Sequence, residues 1–210
     1  MDTNTQVIHF SEEHVDVLRE LINIAIGSAT ANIAELLNAF GTMHVPSVRV
    51  ATFDELKSHI ESSIASDEKN YVTKQLFAGE FGGENMFIIS EESALNLGNH
   101  LYNTQAISET DMLDAVIELT NILSATIVGR LTEELDTQVQ FVVPSTQLII
   151  GPNHIIDDKD INNYKQVIII STVMEFEDKN IHGQIYIMTK DESIQSLKEL
   201  IDKKLEALYN

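Results

Sequence analysis

Two short stretches of this chain carry the same polar residues at the same spacing. "DVLRELIN", residues 16–23, holds Asp16, Glu20 and Asn23, and "DAVIELTN", residues 114–121, holds Asp114, Glu118 and Asn121. Positions i, i+4 and i+7 of a helix fall within roughly 60° of one another at about 100° per residue, so each set lines one narrow face. A carboxamide one turn from a carboxylate is a small chemical toolkit. The amide has a donor and an acceptor and does not gain or lose a proton. It can hold a water molecule and aim one lone pair. Phosphoryl transfer needs that kind of help, because positioning matters there more than covalent assistance. The nearby Glu can pair with a lysine on a partner protein and set the docking register.

Acidic residues on a helix face are ordinarily just solvated. The asparagines are harder to explain that way. Inside a helix the Asn amide competes for backbone hydrogen bonds, and both copies fall mid-helix, where no cap excuses them. Each is followed, after 22 residues, by a proline, Pro46 or Pro144. The prolines read as structural, fixing the entry into a strand. All four positions recur at one offset of 98, while apolar neighbours such as Leu18 and Val116 differ between the copies. The common offset marks an internal duplication.

The elements follow the same plan twice. Residues 11–40 have the helical period in Leu18, Leu21, Ile22, Ala25, Ile26, Ala29, Ile33, Leu36 and Leu37, with Ser11 as N-cap and Gly41 as the stop. A strand introduced by Pro46 follows, then a short helix over 54–66. A hairpin turns at Gly82-Gly83, and a helix begins at Glu91. The second half gives a helix over 109–135, Pro144 and a strand, a hairpin around 178–180 and a closing helix. The expected fold is one α+β domain, made of two repeats at about 11–104 and 109–207. A pseudo-twofold, roughly six-stranded and mainly antiparallel sheet should carry the two long helices. Which strands pair across the halves is not legible at this level.

Composition limits the alternatives. The 210 residues, 43% of them hydrophobic, are enough for a core without staples, and there is no Cys for a disulfide or a thiolate metal site. The histidines, at 9, 14, 44, 59, 100, 154 and 182, follow no metal-ligating pattern, and no glycine-rich nucleotide loop is present. "GEFGGEN" at 79–85 reads as a turn. No metal or cofactor of its own is expected. The net charge of −20 repels nucleic acid and anionic membrane and favours a partner with a basic patch. No run approaches the ~20 apolar residues of a membrane span, and the N-terminus lacks the regions of a signal peptide. The expected location is the cytoplasm.

D-x3-E-x2-N-x22-P, present twice, resembles the CheC/CheX/FliY phosphatases of bacterial chemotaxis. "ELINIAIGSATANIAELL" also looks like that family's first long helix, and the resemblance covers nearly the whole chain. It implies a phosphatase acting on phosphorylated CheY-type response regulators. By position, Glu20 with Asn23 and Glu118 with Asn121 become two catalytic sites. In each, the Glu contacts the regulator's active-site lysine and the Asn inserts to position water against the aspartyl phosphate. Asp16, Asp114, Pro46 and Pro144 become supporting members of the motif. The Mg²⁺ belongs to the regulator. Two complete motifs are the pattern of CheC or FliY. The chain ends at "KKLEALYN", which leaves no room for FliY's additional C-terminal domain, so CheC is the better match. The resemblance adds a CheD-like deamidase as a second partner to test, and the duplicated sheet is expected to be satisfied in a monomer. The alternative is a non-catalytic module that sequesters a response regulator or regulates a CheD-like enzyme. A metal-dependent hydrolase is a weaker third reading, since its carboxylates lack a histidine or a third close ligand.

Overall fold

A computed structural model of the chain describes residues 8–44, 47–153, 155–156, 167–189 and 191–209. Helix α1 (Glu12–Leu37) begins where Ser11 caps it. The Ser11 hydroxyl accepts the His14 N–H at 3.3 Å, and the Ser11 N–H donates to His14 Nδ1 at 3.2 Å. The pair is a capping box with histidine in the usual glutamate position. The helix stops at Asn38, in the left-handed region with φ 41°, and not at Gly41 as the sequence suggested. Asn tolerates this conformation because its side chain is short and polar. Gly41 answers a different need, since a Cβ there would sit 2.1 Å from the Phe176 ring.

After α1 come β1 (Thr42–Met43), β2 (Ser47–Ala51), α2 (Phe53–Ser62), β3 (Lys69–Gly79), β4 (Gly83–Ser90) and α3 (Glu91–Leu101). The second half adds α4 (Glu109–Glu134), β5 (Val139–Phe141), β6 (Ser145–Ile150), β7 (Val167–Phe176), β8 (Ile181–Thr189) and α5 (Asp191–Tyr209). One antiparallel sheet runs β1-β7-β8-β4-β3-β5, with β2 continuing beside β7 and β6 beside β3. The sheet therefore has six strand positions, each outer one built from two short segments. Its order reads the same when the halves are exchanged. The outer segments cross over: β1 and β2 pair with β7 of the second half, and β5 and β6 pair with β3 of the first.

Strand residues alternate between two cores, as the period of two requires. Tyr71, Phe77, Phe87, Ile89, Ile168, Ile170, Ile185 and Ile187 face the larger one, beneath α1, α3, α4 and α5. Val72, Met86, Ile88, Ile169 and Tyr186 face the smaller one, which α2 covers. Among the described residues α4 is the one helix long and apolar enough to cross a membrane by length and composition. Its apolar stripe, from Met112 through Leu119 and Leu123 to Leu131, is buried in the larger core.

The short helices fix how the two long ones run. Asp202 of α5 meets His14, near the start of α1, at 2.6 Å, and Lys204 of α5 meets the Glu134 carbonyl, at the end of α4, at 2.9 Å. His100 of α3 reaches the Leu37 carbonyl at the other end of α1. The start of α1 and the end of α4 therefore lie on the same side of the helix pair, and the two helices are antiparallel. They touch at Asn32, whose amide donates to Thr126 at 3.2 Å.

Candidate functional site

Both motif triplets lie along one flank of the buried helix stripe, with the carboxylates in solvent and the asparagines at the edge of the core. In α1 the buried stripe takes Leu18, Leu21, Ile22, Ala25 and Ile26. Asp16 and Glu20 are exposed beside it and Asn23 is half-buried at its edge. In α4 the stripe takes Ala115, Val116, Leu119, Thr120 and Leu123. Asp114 and Glu118 are exposed, and Asn121 is half-buried. Each Glu and its Asn, three residues apart, share one flank of their helix.

The carboxylates are available. Among the described residues Glu20, Glu118 and Asp114 have no side-chain partner. Asp16 accepts from Arg19 at 2.6 Å, an exposed pair one turn long that contributes little to stability. No group of three His, Asp or Glu side chains among the described residues is placed to hold a metal ion.

The two amides have different surroundings. Among the described residues the Asn23 carboxamide has no hydrogen-bond partner. It borders an open groove of about 460 Å³ between α1 and the β1 segment, lined by Gly27, Thr30, Met43 and His44 among others. The Asn121 oxygen instead accepts a 3.0 Å hydrogen bond from Gln75 Nε2, and the same nitrogen donates to the Val142 carbonyl at 3.0 Å. Gln75 is only 4% exposed. Val142, whose carbonyl accepts the Gln75 bond, and its neighbour Val143 are 55% and 84% exposed.

Pro144 is buried between β5 and β6. It interrupts an outer strand position, where a missing N–H breaks no interior ladder. Pro46 lies outside the described residues. The sequence reading missed Gln75. It shares the core-facing register of β3 with Tyr71, Thr73 and Phe77, so an unexplained glutamine on that face was the available signal.

No family model matches the chain. It is 28% identical over 143 residues to the CheY-P phosphatase CheC of Bacillus subtilis (strain 168), an alignment covering 65% of this chain and 67% of that one. Thermotoga maritima FliY shares the fold with a TM-score of 0.71 and 19% identity, over 94% of this chain and 100% of that chain. The FliM middle domain from H. pylori shares it at 0.60 and 14% identity, over 91% and 99% respectively.

Proposed function

We propose, for a chain that is CheC/CheX/FliY-like in sequence and fold, a phosphatase acting on the aspartyl phosphate of a CheY-type response regulator. The observation that carries this reading is the repeated pairing of an exposed Glu, without a side-chain partner among the described residues, with a half-buried Asn on one helical flank, at Glu20/Asn23 and Glu118/Asn121. The similarity to a protein named CheY-P phosphatase supports it.

The chemistry follows from the side chains. Glu20 or Glu118 accepts a lysine ammonium of the regulator and fixes the angle of approach. The Asn then enters beside the phosphoryl group. Its N–H donates to one lone pair of a water molecule, so the other lone pair points at phosphorus, in line with the bond to the aspartyl oxygen. The water oxygen bonds to phosphorus, the bond to the aspartate breaks, and the water proton leaves with inorganic phosphate. A divalent metal, held by the regulator and not by this chain, would supply positive charge against the leaving carboxylate. Asp16, Asp114 and Pro144 support the helix face and the adjoining loop. Residues 11–104 and 109–207 act as two repeats of one monomeric, cytoplasmic domain, each with its own site.

A second reading is a binding module that holds the regulator, or a CheD-like deamidase, without catalysis. The FliM middle domain favours keeping it in view, because that fold match does not by itself specify an activity. One assay separates the two. Phosphate release from phosphorylated receiver domains is followed with the wild-type chain and with the Asn23→Ala/Asn121→Ala double variant. The phosphatase reading expects acceleration by the wild type and its loss in the double variant. Full acceleration by the double variant overturns the water-positioning role. Binding of the regulator without acceleration by the wild type establishes the module reading.

A further inference from the structure

We infer that Gln75 is a positioning residue for Asn121, and that it makes the second motif a preset site while the first adapts to its partner. The inference rests on the function proposed above and adds a residue outside both motifs.

The hydrogen bonds fix which way the Asn121 amide points. The Val142 carbonyl can only accept, so Gln75 must present its Nε2 to it. The second hydrogen of that nitrogen points at Asn121, which must answer with Oδ1. The Nδ2 end of Asn121, with both hydrogens, is left for an incoming water or phosphoryl oxygen. A free Asn amide samples two flipped orientations, of which this contact selects one.

Among the described residues, the glutamine belongs to a polar seam found under one of the two long helices. Gln75 and Asn85 are directly opposed in the β3–β4 register. Gln75 reaches Asn121 and Asn85 reaches Ser124, three residues further along α4. Asn85 is 1% exposed. Gln75 Oε1 and Asn85 Oδ1 are both buried with no hydrogen-bond partner among the described residues. Buried amides left half-satisfied are costly to the fold, so packing alone does not account for them.

Among the described residues the other half has no such seam. The loop around His44 is placed as the loop around Val142 is: His44 N–H donates to the Val173 carbonyl at 3.0 Å, and Val142 N–H donates to the Leu76 carbonyl at 2.9 Å. Thr172 Oγ1 donates to the His44 carbonyl at 2.6 Å, as Gln75 does to Val142. Threonine has one hydrogen to give and spends it there, leaving none for Asn23. Opposite Thr172 in the sheet stands Ile185, where Asn85 stands opposite Gln75.

The test uses the full chain in single-site backgrounds, Asn23→Ala leaving the second site and Asn121→Ala leaving the first. Gln75→Leu should lower kcat about tenfold in the Asn23→Ala background with KM within about twofold. It should change kcat by less than about twofold in the Asn121→Ala background. Leucine removes the unsatisfied Oε1 of Gln75, and the half-exposed Asn121 can turn to water. The melting temperature should therefore hold or rise. An equal kcat loss in both backgrounds, or no loss at the second site, overturns the inference. A readout independent of phosphatase activity is the Asn121 side-chain amide resonance pair, assigned by its disappearance in Asn121→Ala. Gln75→Leu should shift the pair and speed its rotation, and Gln75→Met should do the same. An unchanged pair in both variants overturns the inference. If the wild-type chain accelerates no dephosphorylation, the proposed function fails, and the resonance pair alone decides the positioning of Asn121.

Discussion

Asn23 and Asn121 project from antiparallel helices toward opposite ends of the helix pair, roughly 20 Å apart along it at 1.5 Å per residue from the Asn32–Thr126 contact. Among the described residues they share no side-chain partner: one borders a groove beside His44, and the other is held by Gln75. Groups this far apart with no common neighbour act independently.

Independence has a kinetic signature. The phosphate-release rate of the wild type, at saturating regulator, should equal the sum of the rates of Asn23→Ala and Asn121→Ala. Progress curves at matched protein concentration measure all three. A wild-type rate more than about twice that sum would mean that the sites are coupled.

The glutamates should act on docking and leave the chemical step alone. In the Asn23→Ala background, Glu118→Lys replaces an attraction to a regulator lysine with a repulsion. KM should rise roughly five- to tenfold with kcat nearly constant. Exposed charges are screened, so the difference between Glu118 and the lysine variant should narrow as salt is raised well above 0.1 M. Titration of rate against regulator concentration at two ionic strengths decides it.

Gly41 offers a steric test of the first site. A Cβ at 41 would meet the Phe176 ring at 2.1 Å. Gly41 also helps to line the groove at Asn23. Gly41→Ala should cost about 1–3 kcal/mol by overpacking, read from denaturant midpoints. It should also slow the Asn121→Ala background more than the Asn23→Ala background.

Stability should fall on acidification through His59, on the face away from the helices carrying the motifs. Burial, and then the Arg49 charge, hold its pKa below the ordinary 6.5. Its ring packs edge-on against Tyr186 with centroids 6.1 Å apart. The folded protein thus keeps His59 neutral at a pH where the unfolded chain has taken up a proton. The stabilisation is full above 6.5 and is lost as pH falls through the depressed folded value. Urea midpoints at pH 7.5 and pH 5 should differ more for the wild type than for His59→Asn. Equal shifts would remove His59 from the account.

Much of the fold was legible because local patterns carried it. The α1 stripe from Leu18 to Leu37, the Ser11 cap and the alternation of β3 and β7 are set by periods of 3.6 and 2, which any segment of the chain carries by itself. The end of α1 was misplaced at Gly41 because a glycine demanded by the Phe176 ring looks, in sequence, like a glycine demanded by a helix end. Gln75 was not recognised for a related reason. Its meaning depends on Asn121 and Val142, which lie 46 and 67 residues away in the chain.

The sequence by itself determined that Asp, Glu and Asn would share one helical face in each half, because side-chain direction along a helix follows from residue spacing alone. The tertiary structure alone decided that the outer strands of each half pair with the other half and that the two motif helices run antiparallel. It also decided that one asparagine is held by a buried glutamine while its counterpart is not. Pairing across a sheet and contact across a core depend on which distant surfaces are brought together, and no local period encodes that.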